Sequence, residues 1–291
     1  MDILLTAANG RTGRRILEAL AARGASVRVF IRDDTQWPAL RSLGAAEYFQ
    51  GDLEEPAALN AALEGCDQVL HIGPPMHPRE LEITLDIMKA AEHHGTRRIV
   101  YYSVLHPMLR EVRHHRLKLD VEQALAESGL TYSVVQPGRY MQHLETQWAR
   151  LLETGVHSMP FSTTQRFSVV DLLDLAEATA TVALEPGHEF ARYELAGPEA
   201  LSQEVMAAIL SRVLGRPIRA EAQNLEAMAE AARARGAGDD RVKQMVAMNS
   251  HYDHHGFRAN ANVLRWLLKR EPTSYEQYVT RLAGESEAAA S

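Results

Sequence analysis

The sequence predicts an α/β protein with a doubly wound parallel sheet and a smaller, mostly helical C-terminal lobe. Three observations predict this fold class. Short apolar runs alternate with helical patterns through the first half of the 291-residue chain, which is typical of parallel strands joined by right-handed crossovers. A glycine-bearing turn, ANGRTG, joins the first apolar run to the first helical pattern. Beyond residue 198 the pattern becomes mostly helical.

The predicted strands of the first half are short apolar runs that end at turn residues. DILLTA leads into the glycine turn, QVLHIG stops at Pro74-Pro75, and LTYSVVQPG stops at its own proline and glycine. The six predicted strands lie at 2–7, 26–31, 45–50, 68–73, 97–104 and 130–138.

The helices between these strands have apolar residues at helical spacing and end at stop signals. After the glycine turn, Ile16, Leu17 and Leu20 share one helix face, and Gly24 ends the pattern. The other predicted helices of this half lie at 37–43, 55–64, 78–94 and 114–128.

The second half begins with two more strand patterns. RFSVVDLLDLAEATATVALE predicts a strand followed by a helix, and RYELAGP predicts another strand. Both strands are candidates to return to the main sheet. The small, polar tail GESEAAAS is expected to fray. Further helices are predicted at 201–214, 224–235, 239–250, 260–269 and 274–283.

These patterns predict two domains. The sheet domain comprises residues 1–137 plus about 160–198, and the substrate-binding lobe comprises residues 138–159 plus 199–291. A helical lobe beside such a sheet creates a cleft where ligands meet the carboxyl ends of the strands.

Composition excludes several classes of protein. Hydrophobic residues make up 46% and charged residues 24%, as in ordinary globular proteins. The net charge of −7 argues against nucleic-acid binding, which needs a basic surface. Cys66 is the single cysteine, so no internal disulfide forms. With no signal peptide and no apolar run of membrane-spanning length, we expect a cytoplasmic protein that binds no membrane. Monomer and homodimer both remain open.

The run HYDHH at 251–255 contains residue types that bind metals. No glutamate follows the first histidine as in a zincin helix, and Gly256 ends the segment. We therefore expect no metal site.

The turn between the first strand and the first helix predicts a Rossmann-type cofactor site. Small residues let the backbone approach a pyrophosphate, and the start of a helix offers unpaired N–H groups. The first glycine of the full fingerprint is replaced by an alanine, and the alternative is a tight turn in an unrelated α/β protein. The predicted contacts are Ala7, Asn9, Gly10, Arg11, Thr12 and Gly13.

The ends of the next strands indicate which dinucleotide binds. Arg32 is the first polar residue after VRVFI, and a guanidinium can grip a 2′-phosphate, so NADP(H) is preferred. Asp33 offers a carboxylate one residue later and leaves NAD(H) open. Asp52 is placed either to contact adenine or to cap the helix that follows. His71 and Gly73, at the end of the fourth strand, are expected beneath the nicotinamide ribose.

In HHRLKLDVE, residues 114–122, the histidine and lysine lie either beside a cofactor or on the surface as two solvated charges. His114, Lys118 and Glu122 are four apart and share one helix face. The spacing alone favours a surface lysine paired with Glu122.

Taken together, these motifs resemble the NmrA-like, atypical short-chain dehydrogenases/reductases. The resemblance spans nearly the whole chain and rests on TAANGRTGR, Arg32, the Gly-Asp at 51–52, YYSV, His-x-x-x-Lys, VQPGRYM, FSVVDLLDLA, YELAGP and PTSYEQYV.

The resemblance implies roles for four residues. Typical short-chain dehydrogenases use Tyr-x-x-x-Lys, in which the tyrosine donates a proton and the lysine binds the nicotinamide ribose, and relatives in the atypical branch also show His-x-x-x-Lys. Lys118 matches the lysine, and His114 stands at the tyrosine position, where a histidine that titrates near neutrality can act as a general acid. Ser103 resembles the family's serine after the fifth strand. Tyr140 is an alternative hydroxyl donor or a packing residue.

Two functions follow from the resemblance. The first is an NADPH-dependent oxidoreductase that transfers a hydride to a small carbonyl or activated alkene, such as an enone, a quinone or an aromatic aldehyde or ketone. The second is a non-catalytic NADP(H)-binding redox sensor that docks a protein partner. A small-molecule substrate is expected in the first case, and a protein partner only in the second.

Overall fold

The computed structural model describes residues 1–290, which form twelve strands and twelve α-helices. The strands are β1 (Asp2–Leu5), β2 (Ser26–Ile31), β3 (Glu47–Gln50), β4 (Gln68–Ile72), β5 (Arg98–Tyr102), β6 (Tyr132–Pro137), β7 (Arg139–Tyr140), β8 (Val156–Met159), β9 (Phe167–Val170), β10 (Ala191–Leu195), β11 (Ala200–Leu201) and β12 (Arg219–Ala222). The helices are α1 (Arg11–Ala22), α2 (Trp37–Ser42), α3 (Pro56–Leu63), α4 (Glu80–His94), α5 (Arg113–Glu127), α6 (Trp148–Thr154), α7 (Leu172–Leu184), α8 (Gln203–Leu214), α9 (Leu225–Ala234), α10 (Asp239–His255), α11 (Asn262–Leu268) and α12 (Tyr275–Ala290).

The main sheet has seven strands in the order β10-β6-β5-β4-β1-β2-β3. β1 pairs in parallel with both β2 and β4, so the strand order reverses at β1. Every residue of β4, β5 and β6 is buried, as expected for a parallel sheet covered by helices. This arrangement confirms the predicted doubly wound α/β class. A reversal of strand order marks the crevice where ligands bind, at the carboxyl ends of the strands.

The chain divides into two compact units. The first contains Met1–Pro137 and Leu175–Tyr193. The second contains Gly138–Asp174 and the described residues from Glu194 onward. The segment at about 160–198 was predicted to belong to the sheet domain. The first unit contains only its residues 175–193.

One strand prediction is corrected by the sheet order. β10 joins the main sheet beside β6, but β9 forms a separate sheet in the order β11-β9-β7. β9 is the central strand there, antiparallel to β11 and parallel to β7. Both of its hydrogen-bonding edges are occupied, which excludes it from the main sheet. A third sheet pairs β8 with β12 in parallel.

α12 continues through Ala290, because alanine and glutamate favour the helix. The tail as far as residue 290 is thus helical, and its fraying stays a prediction. Ser291 lies outside the described residues. Within residues 1–290, no helix combines the length and apolar character needed to cross a bilayer.

Candidate cofactor and active site

The turn after β1 is held closed by backbone contacts. The Gly10 amide donates to the Ala7 carbonyl at 3.0 Å. Arg14 donates from Nε to the Asn9 carbonyl at 3.1 Å and from a second nitrogen to the Asn9 side-chain oxygen. Asn9 therefore orders the turn, and its own oxygens are in use.

Gly13 is the position where the turn has no room for a side chain. A Cβ there would lie 2.7 Å from the Ala8 Cα and 2.9 Å from the Ala7 carbonyl carbon. Such a close approach brings the start of α1 against the end of β1. Gly10 is the N-cap residue of α1 and has no side chain to cap this end, and no acidic residue lies in the first turn of the helix. The positive end of α1 can therefore face a phosphate.

Ala7 occupies the left-handed region, with φ at 49°. Ala7 replaces the first glycine of the fingerprint at a position whose backbone conformation favours glycine. A Cβ costs free energy in this conformation.

Ala7→Gly is therefore expected to raise the free energy of unfolding by about 1 kcal/mol, as the left-handed penalty is removed. NADPH binding should persist, because the turn keeps its shape. Denaturant unfolding measures the change. The control is Ala19→Gly inside α1, which should lower stability by about 0.5–1 kcal/mol. Equal losses in both variants would contradict the prediction.

The residues after β2 and β3 are exposed at the same edge of the sheet. The guanidinium of Arg32 makes no hydrogen bond or ion pair within residues 1–290, whereas Asp33 accepts from the Thr35 amide at 2.8 Å and caps a short 3-10 helix. The hydroxyl of Thr35 first, and then its backbone amide, lower the pKa of Asp33. Asp52 accepts from the Glu54 amide at 2.9 Å and is not the N-cap of α3, which is Glu55.

His71 is fully buried at the end of β4. Burial lowers its pKa to about 4, so the imidazole is neutral at neutral pH. The Thr6 hydroxyl donates to the Ile72 carbonyl at 3.0 Å and lies 2.9 Å from His71 Nδ1. Because the hydroxyl hydrogen is already used, Nδ1 carries the imidazole proton and donates to Thr6. Nε2 is left as a buried acceptor with no partner among the described residues.

Lys118 is buried and forms an ion pair with Glu80, the first residue of α4. Its Nζ lies 2.6 Å from Glu80 Oε1 and 3.1 Å from the Tyr102 carbonyl. Tyr101 donates its hydroxyl to the same Glu80 oxygen at 2.9 Å. Gly73 passes so close that a Cβ there would lie 2.8 Å from Glu80 Cδ. Two of the three ammonium hydrogens of Lys118 are used, and the third remains for a ligand.

Electrostatics explain why this ion pair persists without solvent. Burial alone would raise the pKa of Glu80, but the charge and hydrogen bond of Lys118 outweigh it and hold the pKa below its usual value. The interpretation of Lys118 as a surface lysine paired with Glu122 is wrong, because Lys118 is only 4% exposed.

Ser103 and Glu122 belong to a second buried network. The Ser103 hydroxyl donates to Glu122 Oε1 at 2.6 Å. Gln136 donates to both Glu122 oxygens, and Arg192 Nε to one of them at 3.2 Å. The proton of Ser103 is therefore committed to a carboxylate.

His114 lies one turn before Lys118 on α5. Burial first, and then the charge of Lys118, lower its pKa to about 3. The expectation that this histidine titrates near neutrality is thus corrected: at neutral pH it has no imidazolium proton to give. Its Nδ1 is buried with no partner in the described chain.

Tyr140 belongs to the second unit, where it pairs with Val170 of β9 and stacks on His143 at 5.8 Å between ring centroids.

Among the predicted residues of the first unit, the structure gathers Lys118, His71 and Gly73 around Glu80. Sequence reasoning missed Glu80, because an acidic residue in the first turn of a helix is ordinary. Across residues 1–290 no cluster of metal-binding side chains is found.

Comparison with known proteins identifies relatives of this chain. The model of the NmrA-like family matches residues 1–279. An NAD(P)H azoreductase from Xenophilus azovorans is 30% identical over 251 residues, which cover 86% of each chain. A (4-alkanoyl-5-oxo-2,5-dihydrofuran-3-yl)methyl phosphate reductase from Streptomyces griseus is 31% identical over 229 residues, covering 77% of this chain and 78% of the relative.

A solved structure extends the similarity to three dimensions. The NADPH-dependent quinone oxidoreductase from Escherichia coli, complexed with NADPH, is 25% identical with a TM-score of 0.84. The match covers 96% of this chain and 99% of that one. The resemblance drawn from the sequence motifs is thereby confirmed, and the chain belongs to the NmrA-like family.

Proposed function

We propose that this protein transfers a hydride from NADPH to a small carbonyl compound or activated alkene, such as an enone, a quinone or an aromatic aldehyde or ketone. At the coarser level, the protein is an NAD(P)H-dependent reductase that binds NADP(H), as its relatives named azoreductase and NADPH-dependent quinone oxidoreductase support. The predicted reductase class and cofactor are confirmed to that extent. The acceptor is the part that we propose.

The observation that carries the cofactor assignment is the cradle formed by residues 7–13. Its glycine N-cap, its first helical turn without an acidic residue and the absence of space for a Cβ at Gly13 fit a pyrophosphate against the backbone. Arg32, without a carboxylate partner within residues 1–290, suits a 2′-phosphate. When bound, the nicotinamide supplies the hydride.

Lys118 and His71 are the groups that we assign to the nicotinamide end. The remaining N–H of Lys118 can bind a ribose hydroxyl, and the unpaired Nε2 of His71 can accept a hydrogen bond. Glu80 holds Lys118 in place from the opposite side, so we infer that Glu80 is a positioning residue.

The proton for the product is proposed to come from water. Of the side chains of the first unit considered from the sequence, Ser103 gives its hydrogen to Glu122 and His114 is neutral at neutral pH. A neutral imidazole is a much weaker acid than the imidazolium that general acid catalysis uses.

The proposal is tested by following absorbance at 340 nm with NADPH over a panel of quinones, enones and aromatic aldehydes. We expect NADPH oxidation with at least one class. If NADPH binds in a fluorescence titration but no acceptor is reduced, the proposal fails and a redox sensor with a protein partner becomes the better account. Cytoplasmic location stays a prediction.

The cofactor preference has its own test. Arg32→Ser is expected to weaken NADPH binding by about 10- to 100-fold, because a charge-assisted contact to the 2′-phosphate is lost. NADH affinity should change little. Arg15→Ser, which removes an exposed arginine paired with Glu18 on α1, is the matched control. Equal affinity of Arg32→Ser and wild type for NADPH would refute this role.

A further inference from the structure

Three polar side chains cluster in the second unit, and the proposed hydride transfer does not use them. They are Arg139 on β7, His157 on β8 and Tyr252 on α10, and we call them the Arg139 cluster. All three belong to the second unit. Phe161 forms one side of it, with its ring centroid 5.1 Å from the Arg139 Cζ.

Arg139 is a cation without a counterion. Within residues 1–290 its guanidinium forms no ion pair and no hydrogen bond, and its Nε is buried without a partner. Burial lowers its pKa to about 10, with Tyr252 opposing the shift, so the group is still charged at neutral pH. The residue is half-buried, with its Nε out of contact with solvent, and a charge that has lost part of its hydration is normally paired.

His157 adds a second unsatisfied group. The residue is 2% exposed, and neither ring nitrogen has a partner among the described residues. Burial, and then the nearby charge of Arg139, lower its pKa to about 4. The neutral ring therefore carries one N–H donor and one acceptor, both unused. Buried groups left unsatisfied in this way call for an explanation, and a ligand that completes them is one.

The surroundings are aromatic rather than acidic. Phe161 stacks on Phe167 at 4.0 Å between centroids, and Tyr252 lies 4.6 Å from Phe257 by the same measure. Such rings exclude water and strengthen the interaction of a cation with an anion. The N–H fork at the edge of a planar guanidinium matches the two oxygens of a carboxylate, sulfonate or phosphate.

We propose that the Arg139 cluster binds an oxyanion group of the substrate, with Arg139 as the charged fork and His157 as a neutral donor. This inference rests on the proposed reductase function and narrows its substrates to acceptors that carry a carboxylate, sulfonate or phosphate. The phosphates of the cofactor have their own cradle at residues 7–13. The cluster lies wholly in the second unit, which contains most of the lobe predicted to bind substrate.

Calorimetric titration of the full chain with non-reducible probes tests the proposal independently of turnover. The anionic probes are 2-naphthoate, naphthalene-2-sulfonate and 2-naphthyl phosphate, and naphthalene-2-sulfonamide is the neutral match. We expect at least one anion to bind, and to bind about tenfold or more tightly than the sulfonamide. The ranking of the three anions identifies the oxyanion. No anion binding, or equal binding of the sulfonamide, would overturn the inference.

Amino-acid variants test whether the anion binds at the Arg139 cluster. Arg139→Gln should weaken anion binding about tenfold or more, and Arg139→Lys, which keeps the charge but loses the fork, should weaken it less. Arg241→Gln removes the same charge from an exposed position of α10 and should leave binding unchanged. Equal losses in Arg139→Gln and Arg241→Gln, or none in either, would refute the assignment. The thermal midpoint of Arg139→Gln should fall little, because the variant loses no ion pair or hydrogen bond and only the contact with the Phe161 ring. If that variant does not fold, Arg139→Lys against Arg241→Gln decides.

The two proposals fail separately. NADPH oxidation with neutral quinones, but no anion binding, would leave the reductase standing and overturn the oxyanion subsite. Anion binding that depends on Arg139, with no acceptor reduced, would support the subsite and overturn the reductase.

Discussion

Lys118→Met is expected to lower the free energy of unfolding by about 3–5 kcal/mol, because it leaves the Glu80 carboxylate buried without its counterion. Turnover should fall as well, since the ammonium proposed to hold the ribose is gone. Denaturant unfolding and NADPH oxidation measure the two effects. A loss of activity in this variant alone would therefore not separate a catalytic role from unfolding.

The double variant Glu80→Gln/Lys118→Met makes that separation. A neutral amide can be buried at much lower cost than an unpaired carboxylate, so most of the lost stability should return. Turnover should stay low if Lys118 binds the cofactor. Lys89→Met breaks an exposed pair with Asp86, in which the lysine is 74% exposed, and should cost less than about 1 kcal/mol. A double variant with wild-type turnover would remove Lys118 from the active site.

Gly13→Ala is expected to lower NADPH affinity by at least about tenfold and to destabilise the fold by about 1–3 kcal/mol. The new Cβ would lie 2.7 Å from the Ala8 Cα, and a backbone atom cannot rotate away as a side chain can. The first turn of α1 must therefore move away from the end of β1, which displaces the helix start that we propose to face the phosphates. A fluorescence titration with NADPH and a thermal melt measure both changes.

Substitutions at two other glycines serve as controls for Gly13→Ala. A Cβ at Gly10 would lie 3.2 Å from the Ala7 carbonyl oxygen, so Gly10→Ala should have a smaller effect. Gly284, inside α12, has no atom within 4 Å of such a Cβ, and Gly284→Ala should stabilise the helix by about 0.5–1 kcal/mol. Unchanged NADPH affinity in Gly13→Ala would mean that the turn is not the pyrophosphate site.

Much of the first unit was predictable because its signals are local. Strand SVRVFI and the helix after ANGRTG are set by apolar spacing and by the glycines at their ends. The sequence also predicted a strand in RFSVV. It did not predict which sheet this strand joins, because a strand pattern does not specify the neighbouring strands. Only the folded chain shows that β7 and β11 occupy both of its edges.

The sequence by itself determined the fold class and the position of the glycine turn after β1, and through the family resemblance it singled out the lysine at 118. Only the tertiary structure decided what those side chains do. It pairs Lys118 with Glu80, 38 residues away, commits the Ser103 hydroxyl to Glu122, and leaves Arg139 without a counterion in the described chain. The physical reason is that backbone conformation depends on near neighbours in the sequence, whereas burial, pKa and ion pairing depend on neighbours in space, which residue spacing alone does not record.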